Sequence, residues 1–310
     1  MKRFPYQIKE QPRNRWAVIL AGGDGTRLRS FTRALTGDER PKQFAPIIGG
    51  QTLLDQTRRR VATAVAEENT LLVVTRKHQE FYRSLANVSD LVIQPENKGT
   101  ALGIIYPLMR IAAQAPDAVV AIFPSDHYFS DDEKFMSYVE TAFEMSARNR
   151  GTVTLLGITP DYPEVEFGWI EPSVLKISNG VAPVMRFWEK PSSELATKLM
   201  DQGCLWNSFV MIGQVQAFLD MTKRALPDLL DYFEAIVPVF RTADEYRNVR
   251  ALYSWMPEVN FSHQVLEKQP GSLGVIRVDN VGWSDLGEPS RVLATLSRVG
   301  VQAQAARSAG

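Results

Sequence analysis

The chain has 310 residues, of which 45% are hydrophobic and 23% are charged, and its 35 Lys and Arg balance its 35 Asp and Glu. An intrinsically disordered chain would have fewer apolar residues and more net charge, and a nucleic-acid-binding protein would show a basic excess. These proportions exclude both classes. A chain of this length buries about three-quarters of the surface that it exposes when unfolded, which is enough for a large α/β core.

The single cysteine, Cys204, permits no disulfide within the chain, and we expect it to be a packing residue in a protein of the reducing cytoplasm. Residues 1–16 lack the apolar segment of a secretory signal. The longest apolar runs, such as Ala118–Phe123, are far shorter than the ~20 residues of a membrane span. The sequence therefore predicts a cytoplasmic protein without a membrane or nucleic-acid partner.

Short apolar runs alternate with segments of helical periodicity in the first half of the chain. This alternation predicts right-handed crossovers and a mainly parallel sheet that helices cover on both faces. The predicted strands are Trp16–Leu20, Thr70–Thr75, Asp90–Ile93, Ala118–Phe123 and Thr152–Gly157. The predicted helices are Gln51–Ala66 (where Thr52 and Asp55 resemble a capping box), Thr100–Ala115 and Asp132–Arg148.

After residue 160 the pattern changes to aromatic residues and shorter strands, with no linker between the two halves. We therefore predict one domain over residues 16–300, with lobes of about 16–160 and 161–300, between a polar lead-in of residues 1–15 and a tail of residues 301–310. The predicted strands of the second lobe are Gly168–Glu171, Val184–Glu189, Trp206–Ile212 and Leu273–Val278, and its predicted helices are Val215–Ala225, Asp228–Val239 and Glu288–Val299.

The first predicted strand runs directly into a glycine-rich loop at residues 21–28. Its glycines allow backbone N–H groups to approach an anion closely, and Arg27 adds a charge that can bind phosphate oxygens bidentately. The loop is not a dinucleotide fingerprint, because Leu28 stands where that motif needs its third glycine, and the Walker tripeptide Gly-Lys-Ser/Thr is absent. It therefore predicts a phosphate-binding loop of a third kind.

A second motif follows about fifteen residues later, where Pro41 fixes the backbone just before Lys42. The two motifs read G-D-G-T-R-L at residues 23–28 and R-P-K-Q-F at residues 40–44. Together they resemble the sugar-nucleotide pyrophosphorylases (nucleotidyltransferases), most closely the bacterial mannose-1-phosphate guanylyltransferases. The resemblance implies a Rossmann-like (GT-A-like) α/β fold with a mixed, mostly parallel central sheet flanked by helices, a nucleotide-binding first lobe, a smaller sugar-binding second lobe and a requirement for Mg²⁺.

Later motifs occur in the order that this family shows, and the resemblance covers residues 14–295. They read Q-P-E-N-K-G-T-A at 94–101, F-P-S-D-H at 123–127, E-F-G-W-I at 166–170, W-E-K-P at 188–191, W-N-S-F at 206–209 and G-W-S-D-L-G at 282–287. Two of them depart from the family. Its guanylyl members usually read R-N-T-A-P where this chain reads K-G-T-A-L at residues 98–102, and Phe209 replaces the glycine of W-N-S-G.

The resemblance also implies a role for individual residues. Asp126 follows a buried strand, where ligands of open α/β sheets bind, and it and Asp285 are the implied Mg²⁺ ligands. The residues implied in catalysis are Arg27, Lys42, Asp126, Lys190 and Asp285. The residues implied in nucleotide binding are Ala21, Gly22, Gly23, Asp24, Gly25, Thr26, Arg27, Asn97, Thr100 and Ser125. The residues implied in binding the sugar phosphate are Gly168, Glu189, Lys190 and Asn207.

The reaction that the family performs joins a nucleoside triphosphate to a sugar 1-phosphate and releases pyrophosphate. For this chain the favoured pair is GTP and mannose 1-phosphate, which form GDP-mannose. One alternative is a uridylyl-, thymidylyl- or adenylyltransferase that acts on glucose 1-phosphate. Another is a catalytically silent paralogue that binds a nucleotide sugar and regulates a partner. The family indicates a homodimer, and the sequence leaves the oligomeric state open.

Overall fold

The computed structural model describes residues 14–85, 90–173 and 180–300. The predicted tail and all but the last two residues of the predicted lead-in lie outside these ranges. The described strands form one nine-stranded sheet in the order β3-β2-β1-β4-β8-β5-β9-β7-β6. The strands are β1 Arg15–Leu20, β2 Thr70–Thr75, β3 Asp90–Gln94, β4 Val119–Pro124, β5 Val153–Ile158, β6 Gly168–Pro172, β7 Val181–Glu189, β8 Leu205–Gln214 and β9 Leu273–Val278.

The sheet has a parallel half and a largely antiparallel half. Strands β3, β2, β1 and β4 run parallel to their neighbours, as the βα alternation predicted. Strand β8 lies antiparallel between β4 and β5, and β6 and β7 add further antiparallel pairs. Among the described strands four pairings are parallel and five are antiparallel. The sheet is therefore mixed, as predicted: β7 and β8 run against the other seven described strands, which share one direction.

Helices cover both faces of the sheet. They are α1 Arg29–Thr36, α2 Leu53–Val61, α3 Gln79–Tyr82, α4 Thr100–Gln114, α5 Asp132–Arg148, α6 Ser193–Asp201, α7 Val215–Ala225, α8 Pro227–Glu234, α9 Glu245–Tyr253 and α10 Pro289–Val299. A short π-helical turn spans Ser262–Leu266. No helix in the described ranges is both long and apolar enough to cross a membrane.

Two predicted helices end earlier than their hydrophobic patterns indicated. Thr52 caps α2 by accepting a hydrogen bond from the Asp55 amide, as predicted. However, α2 ends at Val61, and the hydroxyl of the following Thr63 donates to the carbonyl of Arg60. Helix α8 ends at Glu234, and only a single turn follows around Pro238. Proline has no backbone N–H and disfavours a helical conformation in the preceding residue.

The core consists of two large clusters, one on each face of the sheet. Successive strand residues point to opposite faces, so Trp16 and Val18 pack with residues of α4 and α7, whereas Ala17 and Ile19 pack with residues of α2 and α5. Cys204 is buried in the second cluster, and burial raises the pKa of its thiol to about 11. It is therefore a packing residue, as predicted.

A third, small cluster joins two segments that are distant in the sequence. Leu28, Ala45 and Ile47 pack there against Leu286 and α10. This packing brings the turn that carries Lys42 against the loop that carries Asp285. The small cluster therefore positions two of the predicted catalytic residues.

Candidate active site

The glycine-rich loop leaves the end of β1 and is anchored through its carbonyl groups. The amide of Gln43, which is 2% exposed, donates to the carbonyl oxygens of Ala21 (3.0 Å) and Gly23 (2.8 Å). The Thr75 hydroxyl donates to the carbonyl of Gly22 at 2.8 Å. These bonds fix the loop at the carboxyl edge of the parallel strands.

The loop tightens at Gly25, whose φ of 59° favours glycine, before the turn Thr26–Leu28 leads into α1. Asp24 faces a basic segment, since its carboxylate lies 3.4 Å from the Lys77 Nζ and 3.2 Å from the His78 Nε2. The loop therefore carries a compensated negative charge beside the predicted phosphate site.

Three of the predicted catalytic residues, Arg27, Lys42 and Asp126, line one cleft of about 220 Å³ next to the loop. The Lys42 Nζ lies 3.3 Å from a carboxylate oxygen of Asp126 and donates to the carbonyl oxygens of Asp285 (2.6 Å) and Leu286 (3.2 Å). Lys42 is only 12% exposed, so its ammonium group links the two acidic loops inside the protein.

Asp126 stands just beyond the end of β4. Burial raises its pKa, but the positive charge of Lys42 outweighs this effect, with a smaller lowering contribution from the neighbouring His127, and the pKa lies below that of an ordinary aspartate. His127 is held in turn by Trp283, whose indole N–H donates to its Nδ1 at 3.2 Å. Burial lowers the pKa of His127 and so favours its neutral form. Because Nδ1 accepts from Trp283, the proton of that form lies on Nε2, 3.7 Å from the Asp126 carboxylate.

The second predicted metal ligand, Asp285, is paired with an arginine. The Arg291 Nε lies 2.8 Å from one carboxylate oxygen of Asp285, and its Nη2 lies 3.3 Å from the other. Arg291 also bonds Glu164 at 2.9 Å, and both carboxylates are less than 15% exposed. Arg291 therefore orients Asp285 and compensates two nearly buried negative charges.

These residues fit a Mg²⁺ ion that also binds substrate. Mg²⁺ prefers oxygen ligands and commonly uses one or two carboxylates together with substrate phosphates. Asp126 offers an ionised carboxylate at the cleft. The Oδ1 of Asp285 faces the Arg291 Nε and also accepts from the Gly287 amide at 3.0 Å, but its Oδ2 keeps a lone pair beyond the one that faces Arg291. No group of three His, Cys, Asp or Glu side chains suited to a metal occurs in the described ranges, so water and substrate oxygens would complete the coordination.

A cavity of about 380 Å³ opens at the carboxyl ends of β1 to β4. The predicted contacts Gly22, Gly23, Asn97, Thr100 and Asp126 line it. The predicted contact Ser125 does not, because its hydroxyl is buried and donates to the Leu20 carbonyl at 2.7 Å, which joins β4 to β1. We call this space the nucleotide cavity.

Gly99 closes one wall of the nucleotide cavity. Its φ is 84°, and a Cβ atom there would lie 2.4 Å from the carbonyl oxygen of Val259. Around it, the Val259 amide donates to Lys98, the Ala101 amide donates to Val259, and the Phe261 amide donates to the Thr100 hydroxyl. This close approach requires glycine and brings the segment that precedes the π-helical turn into the site.

A second cavity of about 200 Å³ adjoins the first, and we call it the sugar cavity. The predicted contacts Gly168, Glu189 and Asn207 line it together with Asp285. Burial raises the pKa of Glu189 above that of an ordinary glutamate. Four residues line both cavities, namely Thr100, His127, Phe209 and Asn260.

Lys190 lies at the edge of the site with φ 49°, a left-handed conformation that is uncommon outside glycine. Its Nζ is 3.1 Å from a carboxylate oxygen of Glu166, and the same oxygen lies 3.4 Å from Arg27. Lys190 lowers the pKa of Glu166, with a smaller contribution from Arg27. Glu166 therefore forms ion pairs with two side chains that were both predicted to bind phosphate.

Several site residues were not predicted from the sequence. Gln43, Gln94 and Glu166 stand inside motifs that were recognised, but no role was assigned to them. Asn260 and Ser262 lie in a segment without a recognised motif. Hydrogen bonds to the start of α4 and the packing of Val259 and Phe261 in the core bring that segment to the cavities.

The geometry can be compared with known proteins. The mannose-1-phosphate guanylyltransferase of Sinorhizobium fredii is 30% identical over 278 residues, which cover 87% of this chain and 52% of that protein. The xanthan biosynthesis protein XanB of Xanthomonas campestris is 28% identical over 283 residues, which cover 89% of this chain and 58% of that protein. The chain thus spans somewhat more than half the length of these relatives.

Solved structures share the fold. A protein from Thermus thermophilus, described as a mannose-1-phosphate geranyltransferase, superposes with a TM-score of 0.80 at 27% identity, over 93% of this chain and 80% of that one. The inositol-1-phosphate CTP transferase of T. maritima is 15% identical with a TM-score of 0.55, so it shows the fold alone. The family model "Nucleotidyl transferase" matches residues 16–299, and this chain belongs to that family.

Proposed function

We propose that the chain transfers a nucleotidyl group from a nucleoside triphosphate to a sugar 1-phosphate, with GTP and mannose 1-phosphate as the favoured pair. The observation that carries this proposal is the junction of two cavities, with Asp126 lining one and Asp285 lining the other. A reaction between two phosphates requires both to be held side by side in one orientation. Adjoining cavities that share a wall supply that arrangement.

The proposed reaction is an in-line displacement. An oxygen of the sugar 1-phosphate forms a bond to the α-phosphorus, the bond from that phosphorus to the oxygen bridging to the β-phosphate breaks, and pyrophosphate leaves with the electron pair. The attacking phosphate monoester carries negative charge at pH 7, so the reaction needs no general base. Positioning and charge compensation are therefore the main tasks of the protein.

The residues of the cleft divide these tasks. Arg27 and the glycine-rich loop hold the phosphates that leave, and Lys42 stabilises charge that develops near the α-phosphate. Lys190 binds the phosphate of the sugar. When bound at Asp126 and Asp285, Mg²⁺ supplies positive charge for the phosphate oxygens.

One buried amide bears on the choice of base. Gln94 lines the nucleotide cavity, and its Oε1 accepts a hydrogen bond from the Tyr253 hydroxyl at 3.2 Å. Its Nε2 group is therefore the end that can donate to an acceptor on the base. The O6 of guanine is such an acceptor, but uracil, thymine and cytosine also offer a carbonyl oxygen, and adenine offers ring nitrogens. GTP is favoured among these nucleotides because relatives are named mannose-1-phosphate guanylyltransferase.

The test is pyrophosphate release from a matrix of substrates. GTP, UTP, dTTP, ATP and CTP are each combined with mannose 1-phosphate and with glucose 1-phosphate, with and without Mg²⁺. We expect Mg²⁺-dependent release that is confined to GTP and mannose 1-phosphate. Release with another pair keeps the reaction and changes the substrates. No release from any pair contradicts the proposal and favours a binding protein without catalysis.

A further inference from the structure

Phe209 has a backbone conformation that is rare for its residue type. Its φ is 59° in the middle of β8, where an aromatic residue ordinarily adopts a negative φ. A bulky residue remains in this left-handed region only where its surroundings hold it, and such residues cluster at functional sites.

A bulge in β8 holds this conformation. Asn207 pairs with Gly157 and Met211 pairs with Leu155, so residues 208–210 oppose the single residue between those partners. The Ser208 hydroxyl donates to the Leu156 carbonyl at 2.6 Å and accepts from the Val210 amide at 3.2 Å. These bonds fix the bulge on both sides of Phe209.

The bulge also orients a predicted sugar contact. The Phe209 amide donates to the Oδ1 of Asn207 at 3.0 Å. Asn207 is 8% exposed and lines the sugar cavity. Its Oδ1 is thus engaged, and its Nδ2 group remains as the donor for a sugar oxygen.

Phe209 stands where the two cavities meet. It is half-buried, packs against the core cluster that includes α4 and α7, and lines both cavities. On the same shared wall are Thr100, His127 and Asn260, which are all polar. Phe209 is therefore the one large apolar residue among the four described residues that separate the cavities.

We propose that Phe209 determines which sugar 1-phosphates are accepted, by limiting the space next to carbon 2 of the sugar. This inference rests on the proposed function. The phosphate on carbon 1 must reach the α-phosphate beside Asp126, so carbon 1 and its neighbours lie nearest to the wall between the cavities. Carbon 2 carries the hydroxyl or acetamido group by which common sugar 1-phosphates differ. The structure thus assigns Phe209 to the exclusion of bulky substituents at this position.

The experiment compares kcat/KM for a hexose 1-phosphate with that for its 2-acetamido-2-deoxy analogue, with the nucleotide that the substrate matrix identifies. Wild type should prefer the unsubstituted sugar, and Phe209→Gly should reduce this preference by about 10- to 200-fold, the range for a change in apolar pocket size. Phe209→Ala should relax the preference similarly, but with a lower thermal midpoint than Phe209→Gly, because alanine keeps the unfavourable φ. Phe209→Leu, which keeps most of the bulk, should retain most of the preference.

An unchanged ratio in folded Phe209→Gly and Phe209→Ala would overturn the inference, and so would an equal loss of kcat/KM for both sugars. If Phe209→Gly fails to fold, Phe209→Leu and Phe209→Ala decide by the same ratio. If wild type releases no pyrophosphate from any pair, the proposed function is contradicted, but the inference about Phe209 can still be tested. Calorimetric binding of the two sugar phosphates to wild type and Phe209→Gly then tests Phe209 by the ratio of dissociation constants.

Discussion

The ammonium group of Lys42 lies 3.3 Å from the carboxylate of Asp126 and at the same time donates to the backbone at Asp285. One side chain thus connects the loops that carry both predicted metal ligands, although 159 positions separate these ligands in the sequence. The relative position of the two carboxylates depends on a positive charge as well as on the sheet.

Replacing Lys42 by methionine should therefore affect both stability and activity. The change leaves two carbonyl oxygens without their donor and Asp126 without its nearest cation. We expect the free energy of unfolding to fall by about 1–3 kcal/mol. We expect kcat for pyrophosphate release to fall by about 10²–10³-fold, the effect of losing one electrostatic contact in a reacting site.

The matched control for this change is Lys198→Met, which removes an exposed lysine on α6. Urea unfolding and steady-state kinetics of both variants give the comparison. Equal kinetics for Lys42→Met and Lys198→Met would refute the role of Lys42 in catalysis.

Asp126→Asn keeps the size of the side chain and removes its charge. If Asp126 helps to hold a Mg²⁺ ion that compensates the phosphates, kcat should fall by at least about 10²-fold and the Mg²⁺ concentration for half-maximal rate should rise. Asp131→Ala is the control, since Asp131 caps α5 by accepting from the Lys134 amide at 2.9 Å. It should cost about 0.5–2 kcal/mol of stability and leave kcat unchanged. A near-normal rate in Asp126→Asn would remove Asp126 from the mechanism.

Glu166 occupies a position between two cations that are proposed to bind phosphate. Glu166→Gln should release Arg27 and Lys190 for the substrates and lower KM by about two- to five-fold, the magnitude expected of partly exposed ion pairs. The gain should shrink at high salt, which screens such pairs. Glu144→Gln, at an exposed position on α5, serves as the control. A rise in KM would instead show that Glu166 contributes to binding.

Much of the fold could be predicted because local signals agree with the final packing. Strands β2 and β9 and helices α5 and α7 have the predicted bounds. The direction of β8 could not be predicted in this way, because its pattern of buried residues is compatible with a parallel or an antiparallel neighbour. Helices α6 and α9 were missed, since they lie between motifs and are only partly buried.

The candidate site was likewise predicted only in part from the sequence. The motifs predicted where the cleft lies, because the glycine, proline and charged residues at strand ends can be interpreted from the local sequence alone. The ion pair of Glu166 with Arg27 joins residues of different motifs, and Asp285 pairs with Arg291, which lies outside every recognised motif. The small cluster around Leu286 brings Lys42 into contact with the loop of Asp285, and the sequence of neither segment alone predicts this contact.

Glu189 should make sugar binding depend on pH. Burial raises its pKa above the ordinary value of 4.5, with opposing effects from Lys190 and His263 and a further increase from Glu267. A carboxyl with a raised pKa takes up its proton at a higher pH than a free glutamate, so the ionised acceptor is lost as the pH falls from neutrality. KM for the sugar phosphate should therefore rise with acidification already above pH 4.5.

The measurement is KM for the sugar phosphate from about pH 5 to about pH 8 in wild type and in Glu189→Gln. The sugar phosphate titrates in the same range, and the variant reports that contribution alone. Parallel pH profiles in the two proteins would exclude Glu189 as the titrating group. A steeper profile in wild type, with higher KM for the variant at neutral pH, is the expected result.

Arg291 should be among the most sensitive positions for stability. Its guanidinium stays charged, because burial lowers its pKa less than the neighbouring Asp285 and Glu164 raise it. Arg291→Met would leave these two carboxylates, each less than 15% exposed, without their cation. Removing one partner of a nearly buried pair costs about 3–5 kcal/mol, which urea unfolding would measure.

A second substitution distinguishes lost charge compensation from lost packing. Glu164→Gln in the Arg291→Met background removes one uncompensated charge and should recover part of the stability. Arg291→Lys keeps the positive charge but cannot contact both oxygens of Asp285 and the Glu164 carboxylate in one plane. Compared with Arg291→Met, it should therefore restore the free energy of unfolding more fully than kcat. If Arg291→Met lowered the free energy of unfolding by less than about 1 kcal/mol, the ion pair would be no stronger than an exposed one. In that case the backbone alone, and not Arg291, would position Asp285.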